Sequence, residues 1–179
     1  MTTNQIEVAL MYHFGRNTDK TMLNNVTNMH RCLDFETDML LLSGNNYATG
    51  FEIKISKSDL KNDLKKCQYT GYKNCYMEKT AIDHYRHFKY FNYAVPEKLV
   101  EETLNTIHDF CGVYAFYKDE KYKLLQYKEI RKPILLNNYK WSEKEVNNIY
   151  RLSTFRIYGL MRKNLMLQNK INTLLDNMT

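Results

Sequence analysis

The chain has little of what marks several whole classes of protein. Two prolines and six glycines in 179 residues exclude a collagen-like or Pro/Gly-rich flexible chain. No linker rich in Pro, Gly or Ser interrupts it, and no internal repeat divides it. The four cysteines, Cys32, Cys67, Cys75 and Cys111, include no CxxC pair. A chain of this size does not depend on disulfide staples, so free thiols are the default expectation. Cys67, Cys75, His84 and His87 match none of the usual spacings of a structural zinc site. No apolar run approaches the ~20 residues that cross a bilayer. The start is polar from Thr2 to Gln5 and carries Glu7; this is not the basic-then-apolar order of a signal peptide. A soluble, cytoplasmic protein with no membrane partner is the expectation.

What is present is a core and a charge. Apolar residues make up 44% of the chain, with 15 Tyr and 8 Phe, enough to bury one compact domain over residues 1–179. The formal charge of +6 favours a polyanionic partner, because neutralising phosphates releases counterions.

Residues 4–14 carry Ile6, Ala9, Leu10 and His13 at helical spacing, with Gly15 as a stop. A polar, Asn-rich stretch follows to about Asn28. His30 to Ser43 turns apolar and β-like, Ser43-Gly44-Asn45-Asn46 supplies a turn, and Tyr47 to Ser56 is the returning strand. Along that strand Phe51, Ile53 and Ile55 point one way, and Glu52, Lys54 and Ser56 the other. The polar face must be a site or open to water.

Lys57 to Lys66 reads as a helix capped by Ser56 or Ser58, and residues 67–89 as a long basic loop. Tyr90 to Val95 is a strand closed by Pro96. Glu97 to Phe110 is a helix with Gly112 as its stop, and Val113–Tyr117 with Tyr122–Ile130 form a hairpin. A long final helix starts at about residue 142, where Ser142 and Glu145 make a capping box; Gly159 is a candidate kink. This order predicts an α/β (α+β) fold with a central mixed β-sheet flanked by helices.

A hairpin joining these strands can bring Asp38 beside Glu52. Two neighbouring carboxylates suit a hard cation such as Mg²⁺, held together with water and substrate phosphate. Lys54, on the Glu52 face, can orient or deprotonate an attacking water and offset charge on a phosphorane. The set is complete for phosphodiester hydrolysis. The structural alternative is an exposed carboxylate pair with Lys54 as a cross-strand partner, worth under ~1 kcal/mol.

Asp38, thirteen intervening residues, then Glu52-x-Lys54 resembles the signature of the PD-(D/E)XK, restriction-endonuclease-like nucleases. The run from Gly50 to Lys65 and the later Tyr90 to Glu97 are similar to MmcB-like DNA-repair proteins and related phage proteins. In those families a Glu-Ile-Lys strand leads into a Ser-x-x-Asp-x-x-x-Asp-x-Lys helix, and a later strand ends in Val-Pro. The likeness covers roughly residues 30–100. Thr37 stands where the family's name has Pro.

The resemblance implies a Mg²⁺-dependent nuclease, with Mn²⁺ able to substitute, acting on DNA in repair or phage DNA metabolism in a bacterial or phage-infected cell. It assigns Asp38, Glu52 and Lys54 to catalysis, and Asp38 and Glu52 to the metal. Glu7 is a further candidate metal ligand as a helical acid. A homodimer is possible on the same grounds. The alternative is a non-catalytic nucleic-acid-binding or phage assembly protein that retains the nuclease fold.

Candidate contacts to nucleic acid are Ser56, Lys57, Lys61, Lys65, Arg86 and Lys89. For Ser56 a plain helix-capping role is the stronger expectation. Asp59 and Asp63, one turn apart, suit a structural pairing as well as a place in the site. Arg156, Lys163 and Lys170 recur every seven residues on one helix face, the usual mark of a solvated surface.

Overall fold

The computed structural model describes residues 1–16, 20–26, 37–62 and 85–176, the strand 20–26 by its backbone alone. Helix α1 spans Thr3–Phe14 and opens on a capping box: the Thr2 hydroxyl accepts from the Gln5 N–H, and the Gln5 side chain accepts from the Thr2 N–H. Four such N–H groups lack partners at any helix start, and this box satisfies two of them. At the other end Gly15 donates to the Met11 carbonyl at 3.0 Å. Strands β1 (Lys20–Val26), β2 (Thr37–Ser43) and β3 (Ala48–Ile53) follow.

The β2–β3 turn is built on Asn46, whose φ of 62° is one that Asn tolerates well. Ser43 donates to the Tyr47 carbonyl at 2.9 Å and closes the turn. Residues 57–62 are helical, α2. The later elements are β4 (Tyr90–Pro96), a 3₁₀ turn (Glu97–Leu99), α3 (Val100–Thr106), β5 (Gly112–Tyr117), β6 (Gln126–Arg131) and α4 (Glu143–Asp176). The expected loop up to residue 84, the far half of the Lys57–Lys66 helix with Asp63 and Lys65, and residues 30–36 lie outside the described residues.

The six strands form one mixed sheet in the order β1-β2-β3-β4-β5-β6. β1, β2 and β3 are a meander of antiparallel neighbours. β3, β4 and β5 are parallel, which requires crossovers, and β6 returns antiparallel to β5. The fold is therefore α+β, a mixed sheet flanked by helices, as the pattern of elements predicts.

Side-chain alternation divides the core. On one face Met39, Leu41, Phe51, Ile53, Ala94, Tyr114 and Phe116 pack with Ile6, Ala9 and Leu10 of α1. Leu40, Leu42, Val95 and Ala115, also buried, alternate with these along the strands and point to the other face. α3 packs on β4 and β5.

Two expectations are corrected. The Asn-rich stretch contains β1, which among the described residues pairs with β2 alone; cross-strand pairing overrides the poor β-propensity of its asparagines. The helix after Pro96 ends at Thr106, and Ile107 is already extended at φ −94°, ψ 159°. There the Arg131 guanidinium takes over the backbone acceptors, donating to the carbonyls of His108 and Cys111 at 2.8 Å each. Gly112 is thus the first residue of β5 rather than a helix stop. A Cβ on it would lie 2.1 Å from Asn92 Oδ1 and 2.9 Å from Pro133 Cδ, so close approach explains the glycine. α4 is assigned as one helix through Gly159.

Residues Met1–Ser142 form one compact unit and Glu143–Thr179 a second. No helix among the described residues is long and apolar enough to cross a membrane.

Candidate active site

The backbone register between β2 and β3 ends with Met39 opposite Phe51. One step further along, Asp38 stands across from Glu52, and from here side chains replace the ladder. The Thr37 hydroxyl donates to the carbonyls of Phe51 at 3.1 Å and Met39 at 3.3 Å. The Ile53 N–H donates to Asp38 Oδ2 at 2.7 Å, a short charge-assisted bond. That bond fixes the Asp38 carboxylate against the strand carrying Glu52. Thr37 itself, fully buried, is a participant the sequence did not single out. Its only signal was its place just before Asp38.

Beyond β3 the chain stays paired for one more residue, the Lys54 N–H donating to the Ala94 carbonyl at 3.2 Å. Lys54 is 3% exposed. Its ammonium donates to Glu52 Oε1 at 2.6 Å, with the Glu52 side chain only 12% exposed. The polar face of β3 is therefore not a solvated surface. It is a desolvated ion pair, which persists only when the charges neutralise each other. Asp38, tied to Ile53, and the Glu52–Lys54 pair thus all stand at the end of the β2–β3 ladder.

The remaining candidates are placed elsewhere. Ser56 caps α2: its Oγ accepts from the Asp59 N–H and its carbonyl from the Leu60 N–H, both at 3.1 Å. Asp59 Oδ2 in turn accepts from the Ile55 N–H at 3.5 Å, so its role is local and structural. Lys57 and Lys61 reach the Glu102 carboxylate at 2.9 and 3.9 Å, tying α2 to α3. The Glu102 hydrogen bond holds the Lys57 ammonium above the usual lysine range. Reciprocally, the Lys57 bond holds Glu102 below the usual carboxylate range.

Lys89 and Arg86 lie at the opposite end of the sheet. β3 and β4 run parallel from Thr49–Tyr90 to Ile53–Ala94, so Lys89 precedes the residue opposite Glu52 by four positions, about 13 Å along a strand. Its N–H donates to the Ala48 carbonyl at 2.7 Å, and its ammonium sits 4.4 Å from the Tyr47 ring centroid. Arg86 Nε donates to His87 Nε2 at 3.2 Å. Lys65 is outside the described residues.

Glu7 is half-buried on α1. That helix packs by Ile6 and Leu10 on the Phe51–Ile53 face, the face opposite the one from which Glu52 projects. Among the described residues no three His, Cys, Asp or Glu side chains gather as a metal site. The donor set is the Asp38–Glu52 pair, and two carboxylates are what Mg²⁺ commonly takes from protein, the rest being water and phosphate. The pair fits that cation.

A cavity of about 570 Å³ opens elsewhere, between Asn4, Gln5 and Val8 of α1 and residues 118–120 and 122–125. None of the three site residues lines it.

No family model and no curated protein matches the chain. A solved structure of a protein of unknown function from Silicibacter pomeroyi, SPO1766, is similar in fold, with a TM-score of 0.50 and 13% identity over 85% of this chain and 83% of that one. At that identity the likeness is one of fold alone.

Proposed function

We propose that the protein is a Mg²⁺-dependent nuclease of the restriction-endonuclease-like class that hydrolyses DNA phosphodiesters in a bacterial or phage-infected cytoplasm, in DNA repair or phage DNA metabolism. The observation that carries this reading is the convergence of Asp38, Glu52 and a buried Lys54 where the β2–β3 ladder gives way to side chains. Asp38 and Glu52 would hold the metal ion. When bound, that ion supplies Lewis-acid polarisation of the phosphate and charge neutralisation.

The chain's own residues do the rest. The Ile53 N–H keeps Asp38 in one orientation, so little ordering is left for the moment of reaction. Glu52 holds the Lys54 ammonium in place, and exclusion of water strengthens its pull on charge gathering at the phosphoryl oxygens. A water oxygen attacks phosphorus and one P–O bond to sugar breaks; the water's proton passes to solvent and the departing oxygen takes one up from solvent, giving a phosphomonoester and an alcohol. Mn²⁺ substitutes for Mg²⁺ in this scheme.

Plasmid and single-stranded DNA incubated with Mg²⁺ or Mn²⁺ test the proposal. Wild type is expected to cleave, with Asp38→Ala and Lys54→Ala reduced by about a hundredfold or more. No cleavage by wild type, or equal cleavage by both variants, refutes it; the variants also exclude a contaminating nuclease.

One observation favours a second reading. Lys54 donates to Glu52, and Asp38 accepts from Ile53, as members of a structural strut would. A non-catalytic DNA-binding protein on this fold would show salt-dependent DNA binding with neither cleavage nor metal uptake by calorimetry.

A further inference from the structure

Helix α4, Glu143–Asp176, is 34 residues long; Val146 and Ile149 are buried, but beyond them most of its large apolar side chains are exposed. Tyr150, Ile157, Leu160, Leu167, Ile171 and Leu174 are between 45% and 63% exposed. Scattered apolar residues on a surface are ordinary, but a row of this extent marks an interaction face.

The row has a period of 3.5 residues. With Tyr150, Ile157, Asn164 and Ile171 at the a positions of a heptad, Ser153, Leu160, Leu167 and Leu174 fall at d. Six of the eight a and d positions from Tyr150 to Leu174 are apolar, Ser153 and Asn164 being the exceptions, a spacing that argues a coiled coil rather than a single packed face. Its details select among coiled coils. β-Branched isoleucine at a with leucine at d favours two strands, and a lone asparagine at an a position fixes register and strand number by pairing with its own copy.

Charge sets the direction. Lys163 and Lys170 occupy g positions, while Met161, Gln168 and Leu175 occupy e. In a parallel pair each g lysine meets the partner's e column, so its methylene stem covers Gln168 or Leu175 without meeting a like charge. An antiparallel pair would set g against g and place lysines opposite lysines.

We propose that α4 docks a second copy of itself, forming a parallel two-stranded coiled coil over about residues 150–174 with the two Asn164 side chains paired at its centre. This rests on the helix alone and stands or falls independently of the nuclease proposal.

The test is the mass of the full chain in solution by light scattering or sedimentation across a dilution series. The expected species is a dimer of the 21.5 kDa chain, which Leu160→Lys with Leu167→Lys converts to monomer. Asn164→Ile, which keeps the seam apolar, is expected to remain assembled but to lose its restriction to two strands, giving dimers mixed with trimers. For direction, Ile157→Cys in a chain whose four cysteines are serine is expected to yield a disulfide-linked dimer on mild oxidation. The antiparallel arrangement holds the two positions apart. A wild-type monomer, a wild-type trimer, a dimer that survives the double lysine substitution, or an uncrosslinked Ile157→Cys chain would each overturn the proposal. Should the double variant fail to fold, as read by circular dichroism, the Asn164→Ile and Ile157→Cys results decide.

Discussion

Replacing Glu52 with Gln leaves the Lys54 ammonium in place but removes the carboxylate to which it donates. Lys54 is 3% exposed and its Nζ lies 2.6 Å from Glu52 Oε1, so the ammonium cannot turn to water without opening the end of β3. Breaking one side of a buried pair costs about 3–5 kcal/mol, mostly because the other charge is stranded. For a chain of this length that is a fall in Tm of roughly 6–20 °C.

Lys54→Met breaks the pair from the other side. The Glu52 side chain keeps 12% exposure and some access to solvent, so this loss is the smaller one. Glu52→Gln with Lys54→Met removes both charges at nearly constant volume, and its stability should return to within about 1 kcal/mol of wild type. The cycle is read by urea denaturation, and the coupling between the two sites should exceed about 2 kcal/mol. All three variants should be inactive on plasmid DNA, which separates the loss of chemistry from the loss of stability. A Glu52→Gln cost below about 1 kcal/mol, or a double variant no more stable than Glu52→Gln, would refute the claim that this is a desolvated pair.

Three further outcomes are expected. Asp38→Asn keeps an oxygen for the Ile53 N–H and should lower stability little while abolishing cleavage; Asp38→Ala strands that donor and should cost about 1–3 kcal/mol by chemical denaturation. Gly50→Ala would set a Cβ 2.5 Å from the buried Phe91 ring and should cost about 1–3 kcal/mol through overpacking, seen as a lower urea midpoint; an unchanged midpoint counts against the packing described. Burial pushes the Cys111 thiol up from its ordinary 9.0 to about 12, against a smaller opposing pull from Arg131. The unfolded chain therefore holds fewer protons than the native one once pH passes about 9. Stability should fall from there toward pH 12, and Cys111→Ser should flatten part of that slope. Peptide mapping after alkylation at neutral pH should find Cys111 unlabelled in the native protein.

The sequence by itself determined the elements that carry their own periodicity or punctuation. Phe51 and Ile53 alternate with Glu52 and Lys54 because a strand has a period of two, and that alternation alone put the acid and the ammonium on one face. The Ser43–Asn46 turn, the Ser56 cap and the strand ended by Pro96 are equally local, set by backbone preferences and short-range hydrogen bonds. The tertiary structure decided what depends on a distant partner. β1 exists because β2 offers it a ladder, and α3 stops at Thr106 because Arg131, twenty-five positions on, claims the carbonyls that follow. The site divides along the same line. That Glu52 and Lys54 share a face was legible. That the ammonium is sealed from water, and that Asp38 is tied to Ile53 where Thr37 closes the ladder, follows only from the packing of strands and helices around them, because desolvation is a property of the folded surroundings and of no residue alone.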